Sequence, residues 1–159
     1  EPNPGQGGYG IVLIYGAARR ESYGGFRRTT NNRMEIYAAI KALEMLKEPC
    51  KVSLHSDSAY VVNAMLQGWV KRWKEDNWWT SKHRAVNSDL WEKLFNLCKK
   101  HQVEFVWVKG HVGNPENERC DKLSYIALAG TNLSVDEGYE NRLENEGTSV
   151  KITQQGQLF

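Results

Sequence analysis

A chain of 159 residues with 40% hydrophobic and 25% charged side chains has material for one globular core, but not for two ordinary domains of about 100–150 residues each. No apolar run approaches the roughly 18–20 residues of a membrane-spanning helix. Cys50, Cys98 and Cys120 form no Cys-x-x-Cys pair and cannot all pair with one another, which argues against a disulfide framework or zinc site and for a reducing, cytoplasmic compartment. The net charge of +2 does not by itself mark a nucleic-acid binder.

Pro2-Asn3-Pro4-Gly5-Gln6-Gly7-Gly8 is turn chemistry, and Tyr9 to Tyr15 then reads as a largely buried strand. A second extended stretch runs near Arg20 to Arg28, where Gly24-Gly25 marks a bend or the start of a neighbouring strand. Ile36, Ala39, Ile40, Leu43 and Leu46 recur at helical spacing until Pro49 stops the helix. Val52 to Ser56 is a short strand ending at Asp57, and Tyr60 to Leu66 a helix. Gly68 to Val86, with Trp69, Trp73, Trp78 and Trp79 among its charges, reads as a protruding helix and loop. Asp89 to Lys100 is a helix, Val103 to Val108 a strand, and Asn114-Pro115 supplies the N-cap and first-turn proline of a helix to about Ala129.

Strands first, then helices alternating with strands, indicate an α/β fold with a mixed sheet flanked by helices. Residues 1–130 form the expected domain. Residues 131–159, poorer in apolar side chains, read as a flexible C-terminal tail. Charge is divided accordingly: Lys71, Arg72, Lys74, Lys82 and Arg84 outnumber Glu75 and Asp76 in the middle, whereas acids gather between Asp136 and Glu146. No basic segment followed by an apolar run opens the sequence, so no secretory leader is expected.

Three carboxylates stand where elements begin or end: Glu35 early in a helix, Asp57 after a strand and Asp121 in the last helix. Brought together by folding, they would offer the hard oxygen ligands that Mg²⁺ prefers. Two such ions roughly 3.5–4 Å apart would activate a water and stabilise the leaving oxygen of a phosphodiester. Their ordinary reading is as helix-dipole and turn residues. His111, between Gly110 and Gly113, reads either as a mobile proton carrier or as an exposed loop histidine. Trp69 and Trp73 share a helical face, which suits either an aromatic wall against a nucleic-acid strand or the core of a helical hairpin.

Taken together, Arg28-Thr29-Thr30-Asn31-Asn32-Arg33-Met34-Glu35, Ser56-Asp57-Ser58-Ala59-Tyr60-Val61, Trp107-Val108-Lys109-Gly110-His111 and Asn114-Pro115-Glu116-Asn117-Glu118-Arg119-Cys120-Asp121 closely resemble the bacterial type 1 ribonuclease H family, from Asn3 to about Ala129. The resemblance implies a five-stranded ribonuclease H-like fold. It also implies an endonuclease that hydrolyses the RNA strand of RNA/DNA hybrids with Mg²⁺, for which Mn²⁺ substitutes. Glu35, Asp57 and Asp121 match three of the family's four metal-binding acids, and His111 its mobile catalytic histidine. Asn3, Asn31 and Asn32 match residues that read 2′-hydroxyls of the RNA. Arg28, Thr30 and Asn87 match a pocket for a phosphate of the DNA strand, and Trp69 and Trp73 the aromatic wall of its channel. The family's first strand, which carries the fourth acid, falls before Asn3 and is absent from a sequence beginning at Glu1. The alternative is therefore a hybrid-binding module impaired in catalysis. A monomer without membrane partners is expected. Gln155, Leu158 and Phe159 of the last five residues resemble a Gln-x-x-Leu-Phe peptide that docks on the DNA sliding clamp, beside the plainer reading of a tail packed on the domain.

Overall fold

The computed structural model describes residues 3–110 and 113–143. Strands β1 (Gly5–Tyr15) and β2 (Ala18–Thr29) form an antiparallel hairpin. Helix α1 (Asn31–Glu44) follows, then β3 (Lys51–Ser56), α2 (Ala59–Leu66), α3 (Trp69–Glu75), α4 (Ser88–Lys100), β4 (Gln102–Trp107) and α5 (Pro115–Ala129). β3 and β4 pair in parallel, with Leu54 opposite Phe105, an arrangement that needs the long helical crossover lying between them.

The four described strands make two separate two-stranded sheets, β1-β2 and β3-β4, in place of one continuous sheet. The resemblance places the family's first strand between β1 and β3, so the five-stranded expectation and the observed pairing differ by that one strand. Gly24-Gly25 does not break the second strand. Both lie inside β2, opposite Tyr9 and Gly8, because a side chain at Gly24 would strike the Tyr9 ring.

β1 is clamped between two helices, and its glycines explain how. Gly8 and Gly10 share one face by the two-residue period of a strand. A Cβ at either would run into the backbone carbonyls of Ser124 and Cys120, which lie one turn apart on α5. Gly7 points the other way, where a Cβ would meet Thr29 and Met34 beside α1. The α5 backbone thus approaches β1 more closely than any side chain at Gly8 or Gly10 would allow, and on the opposite face the Met34 side chain of α1 packs against Gly7.

The main core lies on the other side of α1. Ile36, Ile40 and Leu43 pack with Val61, Val62, Leu90, Trp91, Leu94, Leu54 and Phe105. Each such burial stabilises the fold by about 1.5–3 kcal/mol. Thr30 caps α1 by accepting from the Arg33 backbone N–H at 3.2 Å, and Asn114 caps α5 by accepting from Asn117 at 3.1 Å.

The segment after Gly130 departs from the expected loose tail as far as residue 143. Ser134 bridges to Phe26 and exchanges backbone hydrogen bonds with Gly25 and Arg27. Asp136 and Tyr139 are buried. The polar composition concealed this docking because the anchor is itself polar: buried Asp136 accepts from Thr29 Oγ1 at 2.6 Å and from Arg33 Nε at 2.8 Å.

Candidate active site

Three elements bring the three carboxylates into one neighbourhood. α1 carries Glu35 one turn in from its cap, α5 carries Asp121 one turn beyond Asn117, and Asp57 directly follows β3. Glu35 and Asp121 share a pocket of about 230 Å³ with Gln6, Gly7, Asn31 and Ser124. Its floor is the stretch of β1 where the register with β2 shifts between Gly5 and Gly7, a bulge of the kind that re-aims side chains at a site.

The electrostatics follow from this convergence. Burial, and after it the charges of Asp57 and Asp121, push the Glu35 carboxyl up to about 7, since neither low dielectric nor like charge favours its ionised form. Among the described residues, no three His, Cys, Asp or Glu side chains are placed closely enough to hold a metal ion between them. The donor set is instead an open cluster of hard oxygens, which fits a cation that retains water and takes further ligands from a phosphate.

Asn3 and Asn31 come together at the neighbouring edge: Asn3 Oδ1 accepts from the Asn31 backbone N–H at 3.1 Å, and Asn32 is exposed beside them. Arg28 is exposed, while Thr30 caps α1. Asn87, N-cap of α4 with φ 61, is buried. Its Oδ1 accepts from Arg33 at 3.3 Å and its Nδ2 donates to the Tyr60 hydroxyl at 3.2 Å. Both ends of its amide are thus engaged by the protein.

Trp69 and Trp73 are half-buried against the main core, with the Trp73 ring 6.2 Å from that of Trp91. Trp79 is 55% exposed and is the more open indole of the protruding segment, a point that helical spacing could not show because Trp79 lies beyond the end of α3. Lys71 and Arg72 are exposed on α3, whereas Lys74 Nζ donates to Asn96 and lies over the Phe95 ring. His111 and the C-terminal Gln155, Leu158 and Phe159 lie outside the described residues.

Sequence reasoning missed Asn117, which donates to Asp57 at 3.1 Å. The signal was available: Asn117 precedes Asp121 by four positions, on the same face of one helix.

Residues 1–128 match the RNase H family. A ribonuclease H from Syntrophus aciditrophicus is 56% identical over 138 residues, covering 86% of this chain and 80% of that protein. A ribonuclease HI from Synechocystis is 54% identical over 139 residues, covering 86% and 87%. Among solved structures, LC9-RNase H1, described as a type 1 RNase H with the type 2 active-site motif, superposes with a TM-score of 0.66 at 27% identity, covering 89% of this chain and 81% of that one. With the ordered motifs, the converging carboxylates and these relatives in agreement, the chain belongs to the bacterial type 1 ribonuclease H family.

Proposed function

We propose that this ribonuclease H cleaves the RNA strand of RNA/DNA hybrids by a two-metal-ion mechanism, with Mg²⁺ as the cation and Mn²⁺ as its substitute. The observation that carries the reading is the convergence of Glu35, Asp57 and Asp121, close enough that the charges of Asp57 and Asp121 add to burial in raising the Glu35 carboxyl to about 7. Glu35, Asp57 and Asp121 would hold the ions, which when bound supply an activated water and charge stabilisation of the leaving oxygen.

The chain's own groups account for substrate choice. Asn31 lines the pocket, Asn3 is hydrogen-bonded to it and Asn32 is exposed next to it in sequence, and such amides suit the 2′-hydroxyl that marks RNA. Exposed Lys71 and Arg72 suit the phosphates of the partner strand, and Trp79 offers a flat ring to it. His111, carried by the resemblance alone, would move protons near the leaving group. On the same reading the enzyme acts in the cytoplasm as a monomer. Its Gln155, Leu158 and Phe159 dock on a sliding clamp, and deletion of residues 155–159 would then abolish clamp binding.

The test is hydrolysis of a labelled hybrid with Mg²⁺ and then Mn²⁺, by the intact chain and by Asp57→Asn. Cleavage by the intact chain that disappears in Asp57→Asn, with hybrid binding retained, supports the proposal. Cleavage that survives the substitution removes Asp57 from the mechanism. Hybrid binding without cleavage in either metal would identify a binding module instead.

A further inference from the structure

Asp57 has a partner that belongs neither to the carboxylate cluster nor to the hybrid-reading edge. Asn117 Nδ2 lies 3.1 Å from Asp57 Oδ2. An ionised carboxylate only accepts, so the amide must present its NH₂ group, and its orientation is fixed by chemistry. The Gly110 backbone passes near the same oxygen, for a Cβ there would come to 3.0 Å from Oδ2. Among the described residues, no hydrogen bond reaches Oδ1.

One oxygen of Asp57 is therefore engaged by Asn117, while among the described residues the other carries no hydrogen bond. The engaging group is neutral. An Arg or Lys in its place would cancel the charge that attracts a cation, whereas an amide fixes the carboxylate and leaves its charge intact. The anchor is firm, because the backbone N–H of Asn117 is itself held by the Asn114 cap at 3.1 Å. The same helix carries Asp121 one turn on, so α5 supplies both a candidate ligand and the group that orients a second one on another element.

We propose that Asn117 is a positioning residue for Asp57, setting the rotation of its carboxylate so that Oδ1 meets the cation. This rests on the reading of Asp57 as a cation ligand. Hydrogen-bond partners of ligating carboxylates typically change metal affinity by about 10–100-fold.

Asn117→Ala isolates the effect. The cap bond uses the backbone N–H, which alanine retains, and alanine is the best helix former. Calorimetric titration with Mn²⁺, without nucleic acid, should show binding weakened about 10–100-fold in Asn117→Ala. The Mg²⁺ concentration giving half-maximal hybrid cleavage should rise in step. The KM for hybrid at saturating metal and the melting temperature in EDTA should stay unchanged, which a merely structural bond would not allow. Unchanged Mn²⁺ affinity in Asn117→Ala, with affinity lost in Asp57→Asn, overturns the positioning role and leaves Asp57 as a ligand. Mn²⁺ binding equal in Asp57→Asn and the intact chain, or absent from both, removes the reading beneath it.

Discussion

Arg33 and Asp136, 103 positions apart in sequence, form a buried ion pair: the guanidinium donates from Nε at 2.8 Å and from Nη2 at 2.9 Å to the two carboxylate oxygens, and Arg33 is only 4% exposed. The other edge of the same guanidinium donates to both oxygens of Asp89 at 2.9 and 2.7 Å. The start of α1, the start of α4 and the segment after Gly130 are thereby fastened to one side chain. Gly138 belongs to the same knot, since a Cβ there would collide with the Asp89 carboxylate.

Asp136→Ala strips one of the two acids from a buried cation, the kind of change that costs about 3–5 kcal/mol. Arg33 keeps Asp89, so the loss should fall at the lower end, about 3 kcal/mol. Urea unfolding monitored by circular dichroism measures it. Asp89→Ala should cost less, because the Asp89 side chain is 46% exposed. A smaller loss in Asp136→Ala than in Asp89→Ala would show that the pair does not carry the docking of residues 134–140.

The Glu35 carboxyl, raised to about 7 by burial and by Asp57 and Asp121, makes the metal-free protein pH-sensitive. Between the unfolded value near ~4.5 and about 7, the folded state binds the extra proton, so stability falls as pH rises through this window and levels off above it. Glu35→Gln removes the titration and should flatten that part of the curve, leaving the variant more stable than the parent at pH 8 by ~1–3 kcal/mol. Chemical denaturation in EDTA from pH 4 to 9 is the measurement. A curve for the parent that matches that of Glu35→Gln over the same interval would show that the Glu35 carboxyl is not raised.

Mg²⁺ should act on the same group in the opposite sense. A cation at the cluster favours ionised Glu35, so added Mg²⁺ should raise the melting temperature more at pH 8 than at pH 5. An equal shift at both values would place ion binding elsewhere.

Lys71 and Arg72 project from α3 and should bind hybrid through phosphates. Replacing both by alanine should lower affinity for every hybrid sequence alike and reduce the slope of log affinity against log salt by about 1–2. Fluorescence anisotropy with the Asp57→Asn protein, expected to bind without cutting, is the measurement. A slope unchanged by the double substitution would remove α3 from the interface.

Gly10→Ala should destabilise by about 1–3 kcal/mol, as overpacking does, because its added methyl would meet the Cys120 carbonyl. Gly16→Ala provides the contrast: nothing lies near a Cβ there, and only its φ of 58 opposes the change. Equal losses would mean that α5 yields to the added methyl and that close helix approach is not what Gly10 provides.

The elements themselves are local properties, and the amino-acid order determined them. The Asn114 cap, Pro115 at the start of α5 and the β4 strand all depend on neighbours within a few residues and appear within a residue of their reading, whereas α1 stops at Glu44, short of Leu46 and Pro49, and β1 begins at Gly5, four residues before Tyr9. The ordered motifs also identified the family and named Glu35, Asp57 and Asp121. What the order could not determine was distance. Asp57 and Asn117 are 60 positions apart, and only the close seat of α5 on the glycines of β1 brings them together. Whether Trp73 faced the core or solvent depended on Trp91, and whether residues 131–143 were loose or docked depended on Arg33, a cation whose burial no pattern of hydrophobicity records. Hydrogen bonds and ion pairs between remote polar groups leave no periodic trace in a sequence, so the tertiary structure alone decided which of these side chains meet.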